Sequence, residues 1–235
     1  MEADADALAE SFDAMTNSPD RINALARFAH RIGRLKSVPR AGWRHRGVSI
    51  AETESVADHS YRVAMLAWVA SAGVEGLDRD RAIKLALLHD LAESLTGDLT
   101  PYEPETLDGL DASSRRAALN QRQAIAPDRK EAKQHAETEA ISELTAGLPA
   151  AQREEVSSLW NELEQRTTPE SRFVKQIDMV ETYLQSREYL AAYPDLPMDS
   201  FAAEVEELIT IPEVAALRDA IAWIPLERPN EGNYR

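Results

Sequence analysis

Ser55-Val56-Ala57-Asp58-His59-Ser60-Tyr61-Arg62-Val63-Ala64-Met65-Leu66-Ala67-Trp68-Val69-Ala70 is the stretch whose reading decides the fold. Val56, Val63, Leu66, Ala67 and Ala70 share one stripe at helical spacing, and Gly73 and Gly76 end it. Working outward, Asp78 caps a further helix with an apolar face of Ile83, Leu87, Leu88 and Leu91, closing at Gly97. The polar region from Asp111 to Leu144 reads as helical with a break at Pro127. Closing helices are expected at about Ala151 to Gln165, Glu170 to Ala192, Asp199 to Ile209 and Pro212 to Ala222. Upstream, an acidic helix from about Asp4 to Met15 and a second reaching about Leu35 precede a loop from Ser37 to Thr53. With only 9 Gly and little β-type alternation, the fold class is all-α.

No repeat, low-complexity tract or long linker divides the 235 residues. One domain is expected over 1–235, with its core at about 20–223 between an acidic N-terminal extension and a short C-terminal tail. There is no cysteine, so any metal must take nitrogen and oxygen ligands, which suits a reducing cytoplasm. The acidic start and the lack of a long apolar run argue against secretion and membrane insertion. A net charge of −15 argues against a nucleic-acid polymer as ligand, although the basic stretch from Arg27 to Arg46 leaves room for a small phosphate ester. The basic side chains are 21 Arg against 5 Lys, which suits a salt-rich cytoplasm or a GC-rich genome equally.

Two apolar stripes each carry an adjacent pair, Asp58-His59 and His89-Asp90. An ionisable pair in a core costs several kcal/mol unless it is paired or holds a metal. Each histidine is therefore either hydrogen-bonded to its neighbouring aspartate or a ligand. Glu93, four residues after His89, and Asp98, beyond the helix-ending Gly97, add two acids within ten residues and favour a reaction centre. Two imidazoles with carboxylates suit Mn, Co or a similar divalent ion, and Mg less well. A further ligand candidate is Asp178, in Phe173-Val174-Lys175-Gln176-Ile177-Asp178, which is equally a surface residue or a partner for Lys175. His30, His45 and His135 lie off these lines and are assigned no metal. Glu137, Glu139 and Glu143 read as a solvated face or a dimer surface.

The set Leu35-Lys36-Ser37-Val38-Pro39-Arg40-Ala41-Gly42-Trp43, Glu54-Ser55-Val56-Ala57-Asp58-His59-Ser60-Tyr61-Arg62, Leu88-His89-Asp90-Leu91-Ala92-Glu93, Thr96-Gly97-Asp98 and Phe173 to Asp178 resembles the HD superfamily. Within it, the set is most similar to the 5'-deoxynucleotidases related to HD domain-containing protein 2. The likeness covers about Leu25 to Tyr193. It implies an all-helical HD fold, commonly dimeric, that hydrolyses deoxyribonucleoside 5'-monophosphates to nucleoside and phosphate with one divalent ion. The ligands it implies are His59, His89, Asp90 and Asp178, with Asp58 as an outer neighbour of His59. The catalytic acids are Glu93 and Asp98, and the substrate loop holds Arg40 and Trp43.

Arg40 offers a planar fork for phosphate. Trp43 either stacks on the nucleoside or plugs its own loop. Two other readings stay open: a phosphodiesterase or nucleoside triphosphate hydrolase of the same superfamily, and a non-catalytic nucleotide-binding protein. Glu93 and Asp98 weigh against the second, because binding alone needs no proton-transfer groups.

Overall fold

A computed structural model describes residues 19–100, 107–123 and 125–226. The expected helix at about Asp4 to Met15 and most of the C-terminal tail lie outside the described residues. The elements are α1 (Pro19–Ile32), α2 (Ala41–His45), α3 (Val56–Ala70), α4 (Arg79–Leu88), α5 (Glu93–Thr96), α6 (Ala112–Asn120), α7 (Pro127–Thr145), α8 (Ala150–Gln165), α9 (Pro169–Ala192), α10 (Asp199–Leu208) and α11 (Pro212–Trp223). Among the described residues there is no strand beyond one isolated bridge, Pro39 to Ser55. No described helix is long and apolar enough to cross a membrane.

The helix starts follow from side-chain chemistry. Ser55 caps α3 by accepting from Asp58 N–H, while Asp58 accepts from Ser55 N–H at 2.9 Å, closing a capping box. Asp78 caps α4, and Thr168 with Ser171 caps α9. Pro127, Pro169 and Pro212 open their helices at the first turn, where a missing N–H costs nothing.

α3, α4 and α9 bury one another through Val63, Ala67, Ala82, Leu85, Ala86, Phe173, Ile177 and Val180. A second cluster, around Val56, Leu91, Ala92, Ile141, Leu144 and Trp160, lies on the other side of the α4 end, and Leu88 packs against both. The apolar face expected for α4 is corrected: Leu85 is fully buried and Leu87 is 55% exposed. The helix also stops at Leu88, well short of the expected Gly97. The chain then tightens into i→i+3 bonds, Leu91 N–H to Leu88 O and Glu93 N–H to Asp90 O, before α5. Gly97, at φ 75°, ends α5 in a conformation that disfavours a side chain. The expected loop after Ser37 also contains the short α2.

Candidate active site

Two hydrogen bonds tie the loop to the start of α3, Arg40 N–H to Glu54 O (3.0 Å) and Val56 N–H to Val38 O (2.9 Å), and together they make the isolated Pro39–Ser55 bridge. His59 comes up from α3 one turn below. His89 caps the C-terminus of α4, where its Nδ1 donates to Ala86 O at 2.7 Å and satisfies one of the helix's orphan carbonyls. Asp90 follows in the tight turn. Asp178 lies on α9 beside the buried Ile177.

The four expected ligands converge. His59 Nε2 stands 3.1 Å from His89 Nε2, 3.2 Å from Asp178 Oδ1 and 3.5 Å from Asp90 Oδ2, and His89 Nε2 stands 3.3 Å from Asp90 Oδ2. His59, His89 and Asp178 form a group able to hold a metal ion. The donor chemistry fits one. With both rings neutral, each Nδ1–H has an acceptor, Glu181 Oε2 for His59 at 2.5 Å and Ala86 O for His89, and each Nε2 then turns a lone pair toward the other. Two lone pairs and two carboxylate oxygens facing one point repel unless a cation lies between them. Donors bonded to one ion at about 2.1 Å stand roughly 3.0 to 3.4 Å apart, and three of the four distances here fall in that range, with His59 Nε2 to Asp90 Oδ2 slightly longer at 3.5 Å.

The electrostatics follow from this crowding. Burial and Arg40 oppose a charge on His59, but the hydrogen bonds it donates to Asp178 and Glu181 prevail and push it up to about 9, so a cation binding at Nε2 would displace a proton from it. Burial opposes the charge on Asp90, yet His89, Arg40 and His59 hold it well below the usual carboxylate range. Asp178 is likewise held low against burial by Lys175, His59 and His89. Lys175 Nζ lies 2.7 Å from Asp178 Oδ2, so Asp178 meets both the lysine and the cluster. Arg40 donates to Asp90 Oδ2 at 3.3 Å and to Thr182 Oγ1 at 3.4 Å. Burial disfavours its charge, and Asp98, Asp90, Asp178 and Glu93 more than offset that.

Glu93 and Asp98 flank Arg40. Glu93 is 3% exposed, and its Oε2 finds no hydrogen-bond partner among the described residues. Burial first, then Asp90 and Asp98, push its carboxyl up to about 10. Its approach does not come from a shared helical face with His89, because the helix breaks between them. Asp98 Oδ2 accepts from Ala41 N–H at 2.6 Å, which ties it to the Arg40 loop.

Several expectations change. Asp58 is exposed and spent on the α3 cap, so the outer partner of His59 is Glu181, 122 positions away. Trp43 does not face the site: it is 2% exposed, packs on Tyr189 and Phe201, and donates Nε1–H to Glu54 Oε1 at 2.8 Å. The ring is a plug because the loop folds back over α9 and α10. Of the basic stretch, Arg46 is buried and donates to Pro197 O, Leu119 O and Ser200 Oγ. Glu137 is buried against Lys133 at 3.1 Å, and Lys133 also feels Glu93 and Asp90, whereas Glu139 and Glu143 are exposed. Glu181, Arg62 and Lys133 had escaped the sequence reading. The usable signal was spacing: Glu181 three residues after Asp178, and Arg62 three after His59.

Comparison with known proteins identifies the family. The HD domain family model matches residues 32–210. The mouse 5'-deoxynucleotidase HDDC2 is 39% identical over 165 residues, covering 70% of this chain and 69% of the relative. The fission yeast 5'-deoxynucleotidase hdd1, from Schizosaccharomyces pombe, is 34% identical over 162 residues, 67% and 68% of the two chains. Among solved structures, a conserved hypothetical protein from Pyrococcus furiosus superposes with a TM-score of 0.60 at 25% identity, over 84% of this chain and 98% of that one. A predicted metal-dependent phosphohydrolase from Magnetospirillum magnetotacticum shares the fold, with a TM-score of 0.59 at 22% identity over 86% and 91%. A family match over most of the chain, joined to a convergent His, His-Asp and Asp cluster, places this chain in the HD domain family.

Proposed function

We propose that this protein is a metal-dependent 5'-deoxynucleotidase, hydrolysing deoxyribonucleoside 5'-monophosphates to deoxynucleoside and phosphate. The observation that carries the reading is the meeting of His59, His89, Asp90 and Asp178 under the Arg40 guanidinium, in a chain whose relatives bear that name. These four residues would hold the ion, and the two imidazoles favour Mn, Co or a similar metal over Mg. A divalent ion bound there supplies Lewis acidity to a water and to a phosphate oxygen.

The chain's own groups do the rest. The Arg40 fork binds the phosphate oxygens and neutralises charge as it builds on them. Asp98, anchored by Ala41 N–H, orients the attacking water and accepts its proton. Glu93, whose burial keeps its proton on near neutral pH, gives that proton to the 5'-oxygen as the phosphorus–oxygen bond breaks. Phosphoryl transfer asks for little beyond such positioning and charge stabilisation.

The chain is read as one domain over 1–235 with its core at about 20–223, supported by Leu88 bridging the two main clusters. A homodimer belongs to the same reading, supported by Tyr61, Trp68 and Val69 standing exposed on α3; sedimentation as a monomer would remove it. A thiolate-free site suits the cytoplasm.

The test is phosphate release from deoxy- and ribonucleoside monophosphates, a cyclic nucleotide and a triphosphate, with Mn, Co or Mg added to stripped protein. Release confined to the deoxyribonucleoside monophosphates is expected. No release from any monophosphate with any metal sinks the proposal.

A further inference from the structure

His59 is held at both ring nitrogens by carboxylates one turn apart on α9. Asp178 Oδ1 lies 3.2 Å from Nε2, and Glu181 Oε2 lies 2.5 Å from Nδ1, with the His59 and Glu181 side chains fully buried. Glu181 is itself clasped: its Oε1 accepts from Arg62 Nε at 2.7 Å. The same guanidinium donates to Glu188 Oε2 at 2.8 Å and to Gln185 Oε1 at 2.6 Å. Spacing explains the clasp. His59 and Arg62 lie three apart on α3, while Glu181, Gln185 and Glu188 follow at i, i+4 and i+7 on α9, so each set shares a face. The fork geometry of arginine lets one side chain reach all three acceptors.

We propose that Glu181, held in place by Arg62, is a positioning residue of the metal centre, fixing His59 with its Nε2 lone pair facing His89, Asp90 and Asp178. The inference rests on reading His59 as a metal ligand. A neutral imidazole carries one N–H, and an acceptor on Nδ1 keeps the hydrogen there and leaves Nε2 free to donate its lone pair. A carboxylate on the far nitrogen also makes the ligand nitrogen a better donor and stops the ring from turning. Arg62 keeps that carboxylate in reach, since a buried carboxylate is tolerated only when compensated. The other tautomer would aim an N–H at His89 Nε2, 3.1 Å away, and close the site to a cation. Among the four cluster residues, the hydrogen-bonded contact of Glu181 is to His59, and Arg62 reaches the cluster through Glu181.

An ion pair of purely structural use supplies the control. Arg81 and Glu162 join α4 to α8 and contact no ligand of the cluster. Stripped protein is titrated with Mn²⁺ and its melting temperature recorded. Glu181→Gln keeps the size and one acceptor oxygen but loses the charge, and its amide nitrogen opposes Arg62. Mn²⁺ affinity is expected to fall about 10- to 100-fold. Arg62→Lys should fall less, and Glu162→Gln should lower the melting temperature without moving the affinity. Folded Glu181→Gln that binds Mn²⁺ as tightly as the parent overturns the inference alone. A parent that takes up neither Mn²⁺ nor Zn²⁺ overturns the metal-centre reading and the inference with it. A measurement on the parent guards against a variant that does not fold. In a long-range ¹H–¹⁵N spectrum of the Zn²⁺-loaded protein, the His59 Nδ1 proton should be strongly downfield and slow to exchange. An unshifted, rapidly exchanging proton contradicts the proposal.

Discussion

Arg40 and Asp90, 50 positions apart, meet at 3.3 Å between Nη1 and Oδ2, so the cation that would bind phosphate already touches a carboxylate of the metal cluster. Arg40→Lys keeps the charge and loses the fork. Its kcat/KM should fall about 10- to 100-fold, the range of a charge-assisted bidentate contact. Arg40→Ala should lose more turnover yet bind Mn²⁺ more tightly, because a positive charge leaves the donors' side. Weaker Mn²⁺ binding in Arg40→Ala would count against this placement.

Asp90 and Glu93 separate metal binding from proton transfer. Asp90→Ala should lose Mn²⁺ and activity together. Glu93→Ala should keep Mn²⁺ and lose kcat by about 10²- to 10⁴-fold, the usual worth of a general acid. Isothermal titration beside phosphate release checks both. A fully active Glu93→Ala removes Glu93 from the mechanism.

Glu93 also predicts a pH dependence in the metal-stripped protein. Its carboxyl stands at about 10 in the fold against an ordinary 4.5, through burial, Asp90 and Asp98. Between those values the native state holds a proton that the unfolded state has released. The stabilising contribution is thus complete below about 4.5 and lost as pH rises toward about 10, at up to about 1.4 kcal/mol per pH unit. Urea unfolding at several pH values should show Glu93→Gln gaining on the parent as pH rises. Parallel curves would show that Glu93 is ionised in the fold.

Trp43 is assigned by the structure to the interior rather than to substrate. Trp43→Ala should destabilise by about 3 to 5 kcal/mol as a large core truncation. Trp43→Phe, which loses the bond to Glu54, should lower the melting temperature and leave the ratio of deoxy- to ribonucleotide rates unchanged. A changed ratio in a well-folded Trp43→Phe would return the indole to the substrate pocket.

The rotated face of α4 has its own test. Leu85→Ala should cost about 2 to 5 kcal/mol, while Leu87→Ala, more than half exposed, should stay within about 0.5. Equal costs would mean that the helix packs on the face read from the sequence.

Much of this protein was legible without coordinates. Helical spacing, caps such as Ser55 and Asp78, and prolines at helix starts are local signals, so α3 and α7 to α11 fell close to their expected bounds, while α4 starts at its Asp78 cap but stops at Leu88, well short of the expected Gly97. His59, His89 and Asp90 stood out because ionisable groups among apolar residues demand a reason, and the lack of cysteine limited the donors to nitrogen and oxygen, whereas Asp178 was singled out by the family resemblance, its local pattern fitting a partner for Lys175 equally well. What only the tertiary structure decided was contact across distance. That His59 leans on Glu181 and not on Asp58, that Arg40 turns inward while Trp43 is buried, and that Leu85 rather than Leu87 faces α3 and α9 all depend on how helices cross. Each of these side chains had two faces or partners of similar local merit. The choice was made by the burial of the α3, α4 and α9 core, a non-local energy that no window of sequence contains.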